Sequence, residues 1–160
     1  NNEFPNESGD MVGPYGQKYG GAILIDSCKF NKNFELLCRE KETSYWTFFK
    51  FNNSTVNGLN LELQKSVSQI KNSKCFSYLA LFIHNKSSKI ELQKSEFGPF
   101  LYAPIIDLSD IHSFKLFNST FKDSTEQFAN FWLYADEVTF FNNTFNENVN
   151  LTWTEAKLTF

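Results

Sequence analysis

Few residues in this 160-residue chain are spaced for acid–base work. The densest cluster is Asp107, Asp110, His112 and Asp136. His112 and Asp136 share a register: in a chain that repeats at their spacing they become stacked neighbours able to exchange a proton. A salt-linked pair on an exposed turn needs only the same spacing, and it is the preferred reading. Asp123 and Glu147 share the register, but two carboxylates are too few for a calcium site. His84 and His112 fall out of register with each other, and no Cys-x-x-Cys or His-Glu-x-x-His spacing offers a transition metal its ligands. Gly13 to Gly21 lacks the lysine-serine ending of a phosphate loop. No catalytic residue, metal or cofactor is assigned, and the chain is read as a protein without enzymatic activity.

Asparagine offers a different chemistry. Asn6, Asn52, Asn53, Asn85, Asn118, Asn142 and Asn150 each open an Asn-x-Ser/Thr triplet, the acceptor of N-linked glycans. Chance placement of 18 Asn and 25 Ser/Thr in 160 positions gives roughly three such triplets, so seven is an excess. Asn118 and Asn142 fall just after an apolar strand, where a turn faces solvent. Turn geometry alone also selects asparagine, yet the number of triplets favours glycosylation at several of them. Asn52 and Asn53 are adjacent and are not expected to be modified together.

The cysteines are Cys28, Cys38 and Cys75. Cys28 aligns with Ser95 and Ser119, a small-residue position packed at a strand end. By elimination Cys38 and Cys75 are the expected disulfide of a secreted chain, although spacing alone does not fix connectivity.

The elements that must position these residues follow from a repeat. Lys89 to Phe97, Ser113 to Phe121 and Glu137 to Phe145 align without gaps. Each reads apolar, polar, apolar, two variable residues, two polar residues, then Phe. Ile90, Phe114 and Val138 recur at equal steps. Earlier copies run from Ile23 to Phe30 and from Phe49 to Val56, with a partial copy at Leu61 to Ser66. Apolar–polar alternation marks a strand with one buried face, and the polar pair marks a turn. Further strands are expected at Leu79 to Ile83, Pro104 to Leu108 and Asn130 to Tyr134. One such unit cannot bury its own apolar face, but stacked units can. The expected fold is all-β: a right-handed parallel β-helix, a solenoid with coils of about 24 residues. Phe97, Phe121 and Phe145 should form one core column, continued by Phe30 and Val56. Leu92, Leu116 and Phe140 should form another.

Gly20-Gly21-Ala22-Ile23 followed by Phe30-Asn31-Lys32-Asn33 resembles the GGA(I/L/V)…FxxN repeat of the chlamydial polymorphic membrane proteins. It is also similar to the repeat of related right-handed β-helix proteins, including many predicted surface proteins of protists. Phe145-Asn146-Glu147-Asn148 is a second FxxN. The resemblance implies a pectin-lyase-like β-helix at a cell surface, with roles in adhesion or coating. The Asp-Asp, Gly-His-Gly and Arg-x-Lys signatures of pectin hydrolases are absent.

Composition narrows the partners. The net charge is −3 with a single arginine, Arg39, which argues against nucleic acid as a partner. No segment approaches the roughly 20 apolar residues of a membrane helix. Residues 1–19 read as an N-terminal arm or the end of a preceding coil, and residues 20–160 as the solenoid. The repeat breaks off at Phe160, as expected of a piece of a longer protein or of copies stacking head to tail. The leading expectation is an extracellular, N-glycosylated structural component of a surface coat, adhesin or filament. The alternative is a β-helix that binds or cleaves carbohydrate. Exposed rings at Trp46, Trp132 and Trp153 would favour the alternative, and buried ones would not.

Overall fold

A computed structural model describes residues 2–4, 9–12, 21–37, 47–102, 104–122, 129–146, 149–153 and 157–160, with only the backbone of 2–4 and 9–12. The strands, in chain order, begin with β1 (Asn2–Phe4), β2 (Gly9–Val12), β3 (Gly21–Asp26), β4 (Cys28–Leu37), β5 (Thr47–Asn52) and β6 (Thr55–Leu63). Next come β7 (Ser66–Lys71), β8 (Lys74–His84), β9 (Lys89–Gln93), β10 (Glu96–Phe100) and β11 (Ile105–Phe117). The last are β12 (Thr120–Phe121), β13 (Ala129–Phe141), β14 (Thr144–Phe145), β15 (Val149–Trp153) and β16 (Lys157–Thr159).

All pairings among them are parallel, and each joins one coil to the next. The chain is a parallel β-solenoid with three faces. The repeat face stacks β3, β5, β7, β9, the second half of β11, the second half of β13, and β16. The short face stacks β1, the first residues of β4, β6 and β8, then β10, β12 and β14. The wide face stacks β2, the later parts of β4, β6 and β8, the first halves of β11 and β13, and β15. Coil length varies along the repeat face. The coil from Ile25 to its partner Phe51 is longer than the one from Phe51 to Ile70, whereas the coils joining Ile90, Phe114 and Val138 are equal.

The core is a set of columns, because alternate residues point inward and each meets its equivalent on the next rung. Phe30, Val56, Cys75, Phe97, Phe121 and Phe145 form one column in register. Its rings stack at 4.7 Å between Phe97 and Phe121 and 5.4 Å between Phe121 and Phe145, offset contacts that add to burial. A second column joins Ile25, Phe51, Ile70, Leu92, Leu116 and Phe140. Both columns were expected. The first gains Cys75, and the second gains Ile25, Phe51 and Ile70.

One expected copy is displaced. Leu61 and Leu63 lie on the wide face, paired with Leu81 and Ile83, and not on the repeat face. The copy in register with Ile90 and Leu92 is Ser68 and Ile70. Alternating Leu-x-Leu satisfies any inward-facing strand. What marks the repeat face is the corner that follows it, and Asn72-Ser73 supplies that corner.

This corner recurs from coil to coil. A residue with left-handed backbone turns the chain: Ser27, Asn53, Asn72, Lys94, Asn118 and Asn142, with φ between 48° and 55°. A small polar residue follows. Ser54, Ser73, Ser95 and Ser119 are buried, and the Oγ of each accepts the backbone N–H of its counterpart one coil earlier, at 3.0 to 3.2 Å. Each Oγ also donates to the carbonyl two residues back, at 2.6 to 2.9 Å. Asn143 closes the row, accepting from Ser119 N at 2.9 Å, and Cys28 Sγ donates to Asp26 O at the other end. The hydroxyls thus satisfy the N–H groups that a turning backbone cannot pair.

Ser95→Ala should leave the Ser73 N–H unpaired in the interior and cost about 1–3 kcal/mol in urea denaturation. Lys94→Asn should raise stability by about 1 kcal/mol, because lysine tolerates left-handed backbone less well than asparagine.

Candidate functional site

The corner column places three of the asparagines that open Asn-x-Ser/Thr triplets at one position. Asn53, Asn118 and Asn142 are exposed, with φ of 49°, 48° and 51°. Their side chains link along the stack. Asn53 Nδ2 donates to Asp26 Oδ1 at 2.8 Å, Asn72 Nδ2 to Asn53 Oδ1 at 3.2 Å, and Asn142 Nδ2 to Asn118 Oδ1 at 2.8 Å. Lys94 interrupts the row between Asn72 and Asn118. Of the adjacent pair, Asn52 is half-buried and its Oδ1 is enclosed without a hydrogen-bond partner, whereas Asn53 projects outward. Asn85 is exposed in the turn after β8, where its Oδ1 accepts from Ser87 N at 3.0 Å. Asn150 is exposed on β15, with Nδ2 donating to Asn130 Oδ1 at 3.3 Å. Asn6 lies outside the described residues.

The acid–base cluster does not converge. His112 Nδ1 and Asp136 Oδ2 are 3.1 Å apart, on side chains 42% and 71% exposed. They are stacked neighbours in an open position, where water competes for both partners and the pair contributes little. Asp110 pairs instead with Lys86 at 3.8 Å, also exposed. Asp107 points from the wide face toward the Ser109 hydroxyl, 3.5 Å away, and Ser109 in turn hydrogen-bonds His84 Nδ1. Sequence reasoning missed this three-residue link, whose signal was the His84–Ser109 register on adjacent rungs. The hydroxyl lies between acid and imidazole, which is not the serine–histidine–acid order that activates a nucleophile. Asp123 and Glu147 lie outside the described residues. Among the described residues no three His, Cys, Asp or Glu side chains gather as a metal site. No helix among them is long and apolar enough to cross a membrane.

Cys75 occupies the phenylalanine column between Val56 and Phe97. It carries a free thiol, and burial pushes its pKa up to about 12. Its Sγ lies 3.0 Å from Tyr78 O. The expected partner, Cys38, lies outside the described residues. Cys28, at the corner, is a free and half-buried thiol. On the short face Glu96 bridges Lys74, at 3.5 Å, and Lys122. The hydrogen bond from Lys122 lowers the Glu96 pKa, with the two lysine charges adding to it and partial desolvation opposing it. The tryptophans divide as follows. Trp132 and Trp153 are 36% and 48% exposed, and Trp46 lies outside the described residues.

In the folded protein, iodoacetamide should label Cys28 and leave Cys75 unmodified until denaturant is added, as read by peptide mass spectrometry. Glu96 adds stability that is complete above the ordinary glutamate range and is lost as pH falls through its lowered pKa. Glu96→Gln should therefore lower a stability–pH profile at neutral pH and flatten its acid limb below about pH 4.5, leaving the slope above about pH 6 unchanged.

No protein-family model, no curated protein and no solved structure matches the chain.

Proposed function

We propose that this chain is a rigid, glycan-bearing rod at an extracellular surface, a structural element of a coat, adhesin or filament. It would act by presenting its corners, not by turning over a substrate. The observation that carries the reading is the corner column. Asn53, Asn118 and Asn142 each open a glycan-acceptor triplet, and each stands exposed at the same point of its coil. A glycan there leaves the backbone pairing and the buried serine row untouched, because both lie on the inner side of the corner.

Stiffness has its own support. The described coils are paired through their backbones on all three faces, so bending must break hydrogen bonds in register. The resemblance to the GGA(I/L/V)…FxxN repeat proteins points the same way. Gly21-Ala22-Ile23 opens β3, Phe30 enters the core column, and Asn33 Oδ1 accepts from Asn57 Nδ2 at 3.1 Å in the bend beyond it. Secretion is part of the proposal, since the glycan acceptor is read only in the secretory route. Association of copies into a filament is part of it as well.

The test is expression through the secretory route of a eukaryotic cell, with mass spectrometry of intact glycopeptides and negative-stain imaging. Glycans are expected at Asn53, Asn118 or Asn142, with Asn52 unmodified, and Thr120→Val should remove the Asn118 glycan mass while keeping asparagine in the left-handed corner. Secreted protein bearing no glycan at any corner asparagine would sink the reading.

A further inference from the structure

We infer that the outward surface of the wide face, centred on Trp132 and Asp107, binds a neutral polysaccharide chain lying along the solenoid axis. On this face Leu81, Ile83, Ile106, Leu108, Phe131 and Leu133 are fully buried. The residues between them therefore point outward. One outward column runs Glu62, Phe82, Asp107, Trp132 and Thr152 in register. The parallel column beside it carries Asn130, paired with Ile105 one rung away. Tyr134, 36% exposed like Trp132, follows it along the same strand.

These groups are the ones a sugar ring needs. An indole lying partly open offers an apolar plate to the C–H face of a pyranose. A carboxylate accepts hydrogen bonds from two hydroxyls, and an amide both donates and accepts. Asp107 has one oxygen directed to Ser109, which orients the carboxylate on the sheet. Successive rungs present equivalent outward positions about every 4.8 Å, close to the length of one pyranose unit in a chain.

Charge decides between classes of glycan. Among the described residues, the outward positions of this face carry Glu35, Glu62 and Asp107 and no lysine or arginine. A uronate polymer would bring further carboxylates against these, and like charges at close range oppose binding. A neutral polymer of hexoses or N-acetylhexosamines meets no such cost. The site does not depend on the corner asparagines, which sit at the edge of a different face, and it assigns no cleavage. Asp107 has no second carboxylate across an open gap, because Phe82 stands between it and Glu62.

The test uses the whole native chain with insoluble cellulose, insoluble chitin and immobilised polygalacturonate. Retention is expected on at least one neutral polymer and not on polygalacturonate. Trp132→Ala should weaken it tenfold or more, Trp132→Phe much less, and Asp107→Asn by an intermediate factor. Both side chains point outward, so the variants should keep the wild-type circular dichroism, with at most a modest fall in melting temperature where the partly covered indole is removed. Retention on polygalacturonate alone, no retention on either neutral polymer, or undiminished retention of a folded Trp132→Ala protein would overturn the inference.

Discussion

A parallel rung leaves all its backbone donors and acceptors pointing up and down the stack, and the next rung must meet them in register. Straight segments do this unaided. At a corner the chain changes direction, its amides rotate, and the pairing fails unless a side chain takes over. Here the buried hydroxyls of Ser54, Ser73, Ser95 and Ser119 take over, each accepting from the coil before it. Everything inward of the corner depends on that bond. If a coil slipped by one residue, the serine would face solvent, the N–H above it would be orphaned, and Phe97 or Phe121 would leave its column. The aromatic stack supplies area; the serine row supplies register.

Much of this was legible in the sequence because the corner and the column lie close together in the chain. Phe97, Phe121 and Phe145 follow their turn residues at a fixed distance, so three copies align by eye. The coil containing Ile70 did not. Its column position is held by Cys75, a small residue in a phenylalanine's place. The neighbouring Leu61–Leu63 alternation looked more like the repeat than the true copy did. Asn72-Ser73, matching Asn118-Ser119, was the signal that would have placed it.

The acid–base residues were less legible. His112 and Asp136 do meet, since a common register is enough to bring them together. Asp110 and Asp107 do not join them, because Asp110 sits in left-handed backbone that directs it to Lys86, while Asp107 belongs to the wide face. Closeness in sequence hides a change of face. The Asp107–Ser109–His84 link and the outward column through Trp132 arise from different coils, so only the stacking reveals them.

The step from the second core column to the first is the same in every coil: Ile25 to Phe30, Phe51 to Val56, Ile70 to Cys75, Leu92 to Phe97, Leu116 to Phe121, Phe140 to Phe145. The step onward to the wide face is not fixed. From Phe121 to Phe131 it is twice as long as from Val56 to Leu61. One vertex of the triangular cross-section is thus rigidly gauged, and the passage toward the wide face is slack. Insertions there lengthen a loop at small entropic cost, whereas a single added residue at the gauged vertex shifts both columns at once. Length can therefore be added on the lateral side while the spine stays constant, and grafted peptides should be carried best there.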